Sequence, residues 1–294
     1  MSVTSALYTG VSGLLNNGEA MNVIGNNIAN VNTVGFKQGR TLFSDLLSQS
    51  VGNNSQIGKG VQLQSVQNVF TQGSSQSSEN VTDLSIQGNS FFALKSPTSA
   101  APVATQNAAF LSRAGAFQVD NSLTLVNPDG YQVLDTLGNP IKFLNSGAAP
   151  TTDFSKVIKV EPNGLITYLA TDGITQNYYD TSGAVGVAAT TLNAATVNRL
   201  AVVTASDPTA LTKVGGSLYQ PTTNSGVSTA AFTLATTKPN GVSEKVLSNT
   251  LEQSNVDMAN EFVKMIVTQR AYSANSKTIT TTDQMTQEVL NLVR

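Results

Sequence analysis

The sequence predicts an α+β chain in which N- and C-terminal α-helices form a coiled-coil-like helical domain and a mainly-β domain is inserted between them. Two observations carry this. Apolar residues recur at heptad spacing at both ends of the chain, and the middle breaks into short β-type apolar runs separated by turn residues.

Residues 3 to 31 read as the first helix. Leu7, Leu14, Met21 and Ile28 lie seven apart, with Val3, Ile24 and Val31 on the adjacent line. That second line is interrupted by Gly10 and Asn17, and Gly13, Gly18 and Gly25 weaken the helix by about 1 kcal/mol each relative to Ala. At the other end, a helix is expected from about Leu251 to Val293. Leu251, Met258, Met265, Tyr272, Ile279 and Val293 share one heptad line, with Phe262 and Leu290 beside it. Its interior companion positions are Gln269, Ser276 and Asp283, so part of this face must meet polar partners or water. On pattern alone the helices form either an intramolecular hairpin that stabilises the β domain or an interface between copies of the chain.

Between the helices, turn signals stand at Asn127-Pro128-Asp129-Gly130, Leu137-Gly138-Asn139-Pro140, Pro162-Asn163-Gly164 and Asp172-Gly173. They predict strand pairs from Phe110–Asp120 with Leu123–Asn127, and from Val157–Glu161 with Leu165–Ala170. The Gly, Ser, Gln and Asn-rich stretch from 53 to 80 reads as extended linker with one apolar stripe at Val61, Leu63, Val66, Val69 and Phe70. The expected organisation is a discontinuous helical domain (1–35 and 250–294), a linker (36–80) and a β-rich domain (81–249).

Composition narrows function. Only 12% of residues are charged, and 16 basic against 18 acidic residues leave no phosphate-neutralising stripe, which argues against nucleic acid as a partner. No apolar run approaches the ~20 residues that span a bilayer, and Met1 to Ser5 carries no basic region ahead of an apolar one, so neither a membrane anchor nor a cleaved signal is expected. The chain contains no Cys, His or Trp, which excludes disulfides and His-dependent triads and makes zinc and cofactor chemistry unexpected. Remaining options are Ser-Lys pairs, such as Ser44 or Ser276 with Lys277, and carboxylate pairs among Asp120, Asp129, Asp135, Asp153, Glu161 and Asp172. Several of these carboxylates stand in turn motifs, where Asp caps its own backbone. Glu261 and Arg270, on different faces of the last helix, are either solvated charges or partners for another copy. No catalytic, cofactor or metal site is expected.

The motifs point further. The run MNVIGNNIAN at 21–30, with Asn26, Asn27 and Asn30, is closed by TVGFK at 33–37, with Gly35 and Phe36. Near the other end stand LEQSNVD at 251–257, with Asn255, and QRAYSANSK at 269–277, with Gln269, Arg270, Tyr272 and Asn275. Together they resemble the two terminal signatures of bacterial flagellar rod and hook proteins, and TDLSIQGNSFF at 82–92 with SRAGAF at 112–117 is similar to the β-domain motif of that family. The resemblance covers 1 to about 145 and 245 to 294 well and is thin between them. It implies a tubular homopolymer, with terminal helices of many subunits packed around an export channel and β domains outside. It further implies the flagellar type III export apparatus, a distal rod protein, and hook cap and hook-filament junction proteins as partners. IGNN at 24–27, NLVR at 291–294 and LTKVGGSLY at 211–219 are similar to the hook type, and the distal rod type is the alternative. Gly35 is expected to supply a positive φ where the chain leaves the first helix.

Overall fold

The structure is a computed structural model that describes residues 3–292 apart from 48, 53–54, 99–101, 144–150, 152, 180–186 and 189–196. The fold is α+β, with helices at the two ends and sheets between them. Two compact units are present, one formed by residues 1–31, 37–69 and 256–294 and the other by 32–36 and 70–255.

The first unit contains helix α1 (Val3–Ala29) and the long C-terminal helix, with a short helix α2 (Leu234–Thr237) lying in the other unit between them in sequence. The C-terminal helix, α3 (Met258–Leu292), is 35 residues long, which at 1.5 Å per residue is about 52 Å. It starts later than the heptad line suggests. Leu251 lies in the strand Thr250–Glu252, paired with Ser75–Ser77, and Asp257 caps the helix by accepting from the backbone N–H of Ala259 and Asn260.

The stretch read as an extended linker is a paired element. Gly39–Asp45 and Val61–Asn68 form an antiparallel hairpin with a bulge at Leu42/Phe43, and Gln49–Gly52 pairs with Ser55–Ile57. Along Val61–Asn68 half-buried residues at 61, 63 and 65 alternate with exposed ones, a period-2 signal hidden by the polar composition. The hairpin is tied to α1: the Asn16 side-chain amide donates to the Val61 carbonyl, and the Val61 N–H donates to Ser12 Oγ.

The second unit is built around the strand Ser90–Lys95, buried at every position. It pairs antiparallel with Phe110–Ser112, Gln132–Val133 and Val202–Thr204 in an eight-stranded sheet. Both faces are covered. Phe92 and Leu94 enter a core with Leu84, Ile86, Phe117 and Val246, while Phe91 and Ala93 enter a second with Leu111, Leu134, Val203 and Tyr219. Phe154–Val160 pairs with Ile166–Ala170 around the Pro-Asn-Gly turn, as its turn residues predict. Gln118–Val119 pairs with Leu125–Val126, within the expected pairing of Phe110–Asp120 with Leu123–Asn127, whereas Phe110–Ser112 joins Ser90–Lys95 and Leu218–Gln220 instead.

Candidate functional site

Helices α1 and α3 run antiparallel: Asn27 meets Glu261, Gly13 faces Asn275 and Gly10 faces Ile279. The residues of α1 turned inward are Ala6, Gly10, Gly13, Asn17, Ala20, Ile24 and Asn27, spaced alternately four and three apart. Those of α3 follow the same rule at Glu261, Met265 and Thr268 and again at Asn275, Ile279, Thr282 and Thr286, while between them Ala271 is half-buried and Tyr272 exposed. Small and polar residues dominate both sets. A Cβ added at Gly10 would lie 3.0 Å from Ile279 Cγ1, and one at Gly13 only 2.7 Å from Asn275 Nδ2, so the glycines let the two backbones approach closely.

This seam corrects the phase read from the sequence. The line through Gly10, Asn17 and Ile24 is inside, but its companion is 6/13/20/27, which leaves Leu7, Leu14, Met21, Ile28 and Val31 half-buried beside it. On α3, Met265 and Ile279 are half-buried, with companions at 261, 268, 275 and 282 in place of 262, 269, 276 and 283. Met258, Phe262, Tyr272 and Leu290 are exposed, and Val293 lies outside the described residues.

The apolar residues left outside are extensive. On α1 they are Tyr8, Val11 and Leu15; on α3, Phe262, Val263, Ile266 and Val267 form one patch, and Met285, Val289, Leu290 and Leu292 another. Of these, only Phe262 and Leu290 were singled out by the heptad count. Two adjacent apolar residues per turn, as at 262–263 and 266–267, are the signal for a second face, since one narrow stripe cannot hold both. Between the helices runs an open groove of about 590 Å³ lined by Leu14, Leu15, Gly18, Met21 and Tyr272, with Glu19, Asn22, Gln269 and Ser273 at its polar positions.

One end of the pair is locked by a buried carboxylate. Glu261 is 1% exposed and accepts from Asn27 Nδ2 (2.9 Å), Gln38 Nε2 (2.7 Å) and Lys264 Nζ (2.6 Å). Asn27 also exchanges hydrogen bonds with the backbone of Gly39, donating to its carbonyl at 2.8 Å and accepting from its N–H at 2.9 Å. Three segments distant in sequence thus meet on one carboxyl group. Glu261 is therefore neither a solvated charge nor free for another copy, whereas Arg270 is exposed. Asn26 accepts from the Asn30 amide, which holds the last turn of α1.

The second unit has a comparable knot. Arg113, 1% exposed, pairs with the fully buried Glu252 at 3.4 Å, donates to the Gly88 carbonyl at 2.6 Å and lies over the Phe91 ring. Burial pushes the Arg113 pKa below its usual value, while the Glu252 carboxylate opposes that shift. Glu252 also accepts from the Gly73 N–H, and its backbone carbonyl accepts from the Gly35 N–H. Gly35 has φ +67°, and a Cβ there would lie 2.3 Å from the Ala114 nitrogen, so a bare α-carbon is needed. Phe36 is buried beneath Lys213, whose ammonium sits 3.9 Å from the ring centre, and Asn255 donates to the carbonyl and hydroxyl of Thr71. All three segments at the ends of this unit, 32–36, 70–73 and 249–255, are thus anchored near one ion pair.

Three of the six carboxylates weighed as catalytic candidates act in turns, and Glu161 pairs with Lys159 at 3.5 Å. Asp120 accepts from the N–H of Ser122 and Thr124, Asp135 from Leu137 and Asn139, and Asp172 from Ile174 and Thr175. Hydrogen bonds from the Thr175 hydroxyl and the Thr175 and Ile174 N–H groups hold the Asp172 pKa below its usual value. No helix among the described residues is long and apolar enough to cross a membrane.

Comparison with known proteins gives this arrangement its context. The family model for flagella basal body rod proteins matches residues 7–37, and the model described as flagellar basal body rod FlgEFG protein C-terminal matches 247–292. The flagellar basal-body rod protein FlgG of Bacillus subtilis is 34% identical over 98% of this chain and 99% of its own length. The flagellar hook proteins FlgE of Treponema pallidum and Borreliella burgdorferi are 42% and 44% identical, over 49% and 42% of this chain but only 32% and 28% of their own lengths. The two matched segments include most of α1, all of α3 and the Gly35 and Glu252 regions, and the full-length similarity extends across the sheets between them: the chain belongs to the family of flagellar rod and hook structural proteins.

Proposed function

We propose that this chain is a subunit of the flagellar hook, polymerising through its terminal helices into a tubular universal joint that passes torque from rod to filament and encloses the export channel. The observation that carries the polymer reading is that α1 and α3 are satisfied on one side only. Their shared seam is narrow and small-residue, while Phe262, Val263, Ile266 and Val267 remain outside on a single patch, and exposed apolar patches of this kind mark sites of protein association. The hook assignment rests on the 42% and 44% identity to hook proteins over about half of the chain and on the IGNN, LTKVGGSLY and NLVR motifs.

A low-charge surface rich in Asn, Gln, Ser and Thr suits a joint whose subunits slide. Each replaceable hydrogen bond contributes about 1 kcal/mol net, so no single contact locks the tube. In this reading the subunit leaves the cell through the type III export apparatus without a cleaved signal. It then stacks on a distal rod protein below and meets cap and hook-filament junction proteins above. The full-length match to a rod protein favours a second reading, the straight distal rod. Negative-stain electron microscopy of the full chain, at raised salt with sheared polymer as seed, separates them. Curved tubes are expected for a hook; straight tubes establish the rod reading, and a chain that stays monomeric at all concentrations overturns both.

A further inference from the structure

Helix α3 outruns α1. With Gly10 opposite Ile279 and Gly13 opposite Asn275 in antiparallel register, the start of α1 lies across from about residue 286. Thr282 is the last buried residue of α3, and every residue from 287 to 292 is exposed. This overhang is apolar along one stripe: Met285, Val289 and Leu292 stand at i, i+4 and i+7, each 55 to 85% exposed, with Leu290 beside them. That spacing is the anchor pattern by which an amphipathic helix enters a groove.

The same unit carries a groove of matching character. Leu14, Leu15, Met21 and Tyr272 give it apolar walls, and a Cβ at Gly18 would meet nothing within 4 Å, so its floor opens where a side chain is missing. A volume of about 590 Å³ accommodates several aliphatic side chains. The tail cannot turn back into its own groove. Tyr272 and Val289 belong to one uninterrupted helix, 17 residues and therefore about 25 Å apart.

We propose that the α3 overhang of one subunit docks in the α1/α3 groove of a second copy, with Met285, Val289 and Leu292 packed against Leu15, Gly18 and Tyr272. This rests on the polymer reading and specifies one of its contacts. For parallel helices it displaces neighbouring copies by roughly 25 Å along the helix axis. Three anchors bury far less than the ~1,000 Å² of a stable pairwise interface, so the contact holds only where each subunit makes several at once. Free chains in dilute solution therefore stay single, and the tail engages in the tube.

The absence of cysteine permits a direct test. The full chain carrying both Leu15→Cys and Val289→Cys is assembled from seed, oxidised, and run on a non-reducing gel. A ladder of dimers, trimers and higher species from tubes, with none from dilute monomer, is the expected result. Tubes without a ladder overturn the docking while leaving the polymer reading intact; a parent chain that never forms tubes overturns both. If the double variant itself does not assemble, Gly18→Leu decides. A Cβ at Gly18 meets nothing within 4 Å and the rest of the side chain has the open groove to occupy, so helicity at 222 nm should be kept or raised while the concentration needed for tubes rises about tenfold or more. Assembly of Gly18→Leu at the parent concentration overturns the proposal.

Discussion

The four glycines of α1 test the seam directly, because they share one helix and differ only in what lies opposite. In a helix interior Gly→Ala is worth about 0.8–1.0 kcal/mol in propensity, much of it through the unfolded chain. At Gly18 and Gly25 a Cβ meets nothing within 4 Å, so Ala should realise that gain at each site. The two are seven residues apart, about 10 Å, so the double variant should gain about 2 kcal/mol by simple addition. At Gly10 the new carbon would sit 3.0 Å from Ile279 Cγ1, inside the ~3.5–4.0 Å optimum between carbons. At Gly13 it would sit 2.7 Å from the Asn275 amide, which must swing out of the seam. Overpacking costs about 1–3 kcal/mol, so the propensity gain is cancelled or reversed and both variants should lose about 0–2 kcal/mol. Urea titration of dilute monomer at 222 nm, with amide exchange across α1, reads both signs. Four shifts of the same sign and similar size would refute the seam, because they would place 10 and 13 in the same open surroundings as 18 and 25.

The remaining predictions concern the two buried knots and one turn. Glu261→Ala removes the acceptor shared by Asn27, Gln38 and Lys264 and should cost the helical unit about 2–4 kcal/mol, with Glu261→Gln milder; amide exchange confined to α1, α3 and the 39–68 hairpin would locate the loss. Arg113→Ala removes the buried guanidinium that pairs with Glu252 and donates to the Gly88 carbonyl, and should lower the stability of the β unit by about 3–5 kcal/mol in calorimetry. Asp172 has a folded pKa below its unfolded value of 3.8, so its contribution to stability is present above that value and lost as pH falls through the folded pKa. Thr175→Val removes the largest cause, and carboxyl-detected NMR titration should find the Asp172 pKa moved back up.

How much of this was legible depended on where each interaction's partners lie in the sequence. The pair Phe154–Val160 with Ile166–Ala170 was readable because Pro162-Asn163-Gly164 both ends the strands and sets their reversal. The positive φ of Gly35 was readable for a similar local reason. The hairpin at 39–68 was not, since its Gly, Ser, Asn and Gln content masked an alternation that only burial against α1 makes meaningful. Arg113 with Glu252, and Asn27 with Glu261, link residues more than a hundred positions apart, and no local pattern marks them as partners.

The greasiest heptad lines do not mark the seam within the chain. Counting apolar residues assumes that the seam within the chain is the greasiest line on each helix. Here Gly10, Gly13, Asn17, Thr268, Asn275 and Thr282 form the intramolecular seam, while Phe262, Ile266, Val289 and Leu292 face away. A seam of small residues brings two helices close but buries little apolar surface, so it contributes less than a Leu-rich zipper would. The outer stripes hold what the seam lacks. Under the proposed function the choice posed by the sequence, between an intramolecular hairpin and an interface between copies, dissolves: different faces of the same helices serve the two ends. Under the proposed reading this division has a kinetic use. A chain whose strongest apolar faces are spread over several directions gains little from any single encounter, and much from a tube end that covers them together. Growth at an existing end is then favoured over new association in solution, and the Gly18→Leu variant, better folded yet worse at assembling, is the chain in which those two properties should come apart.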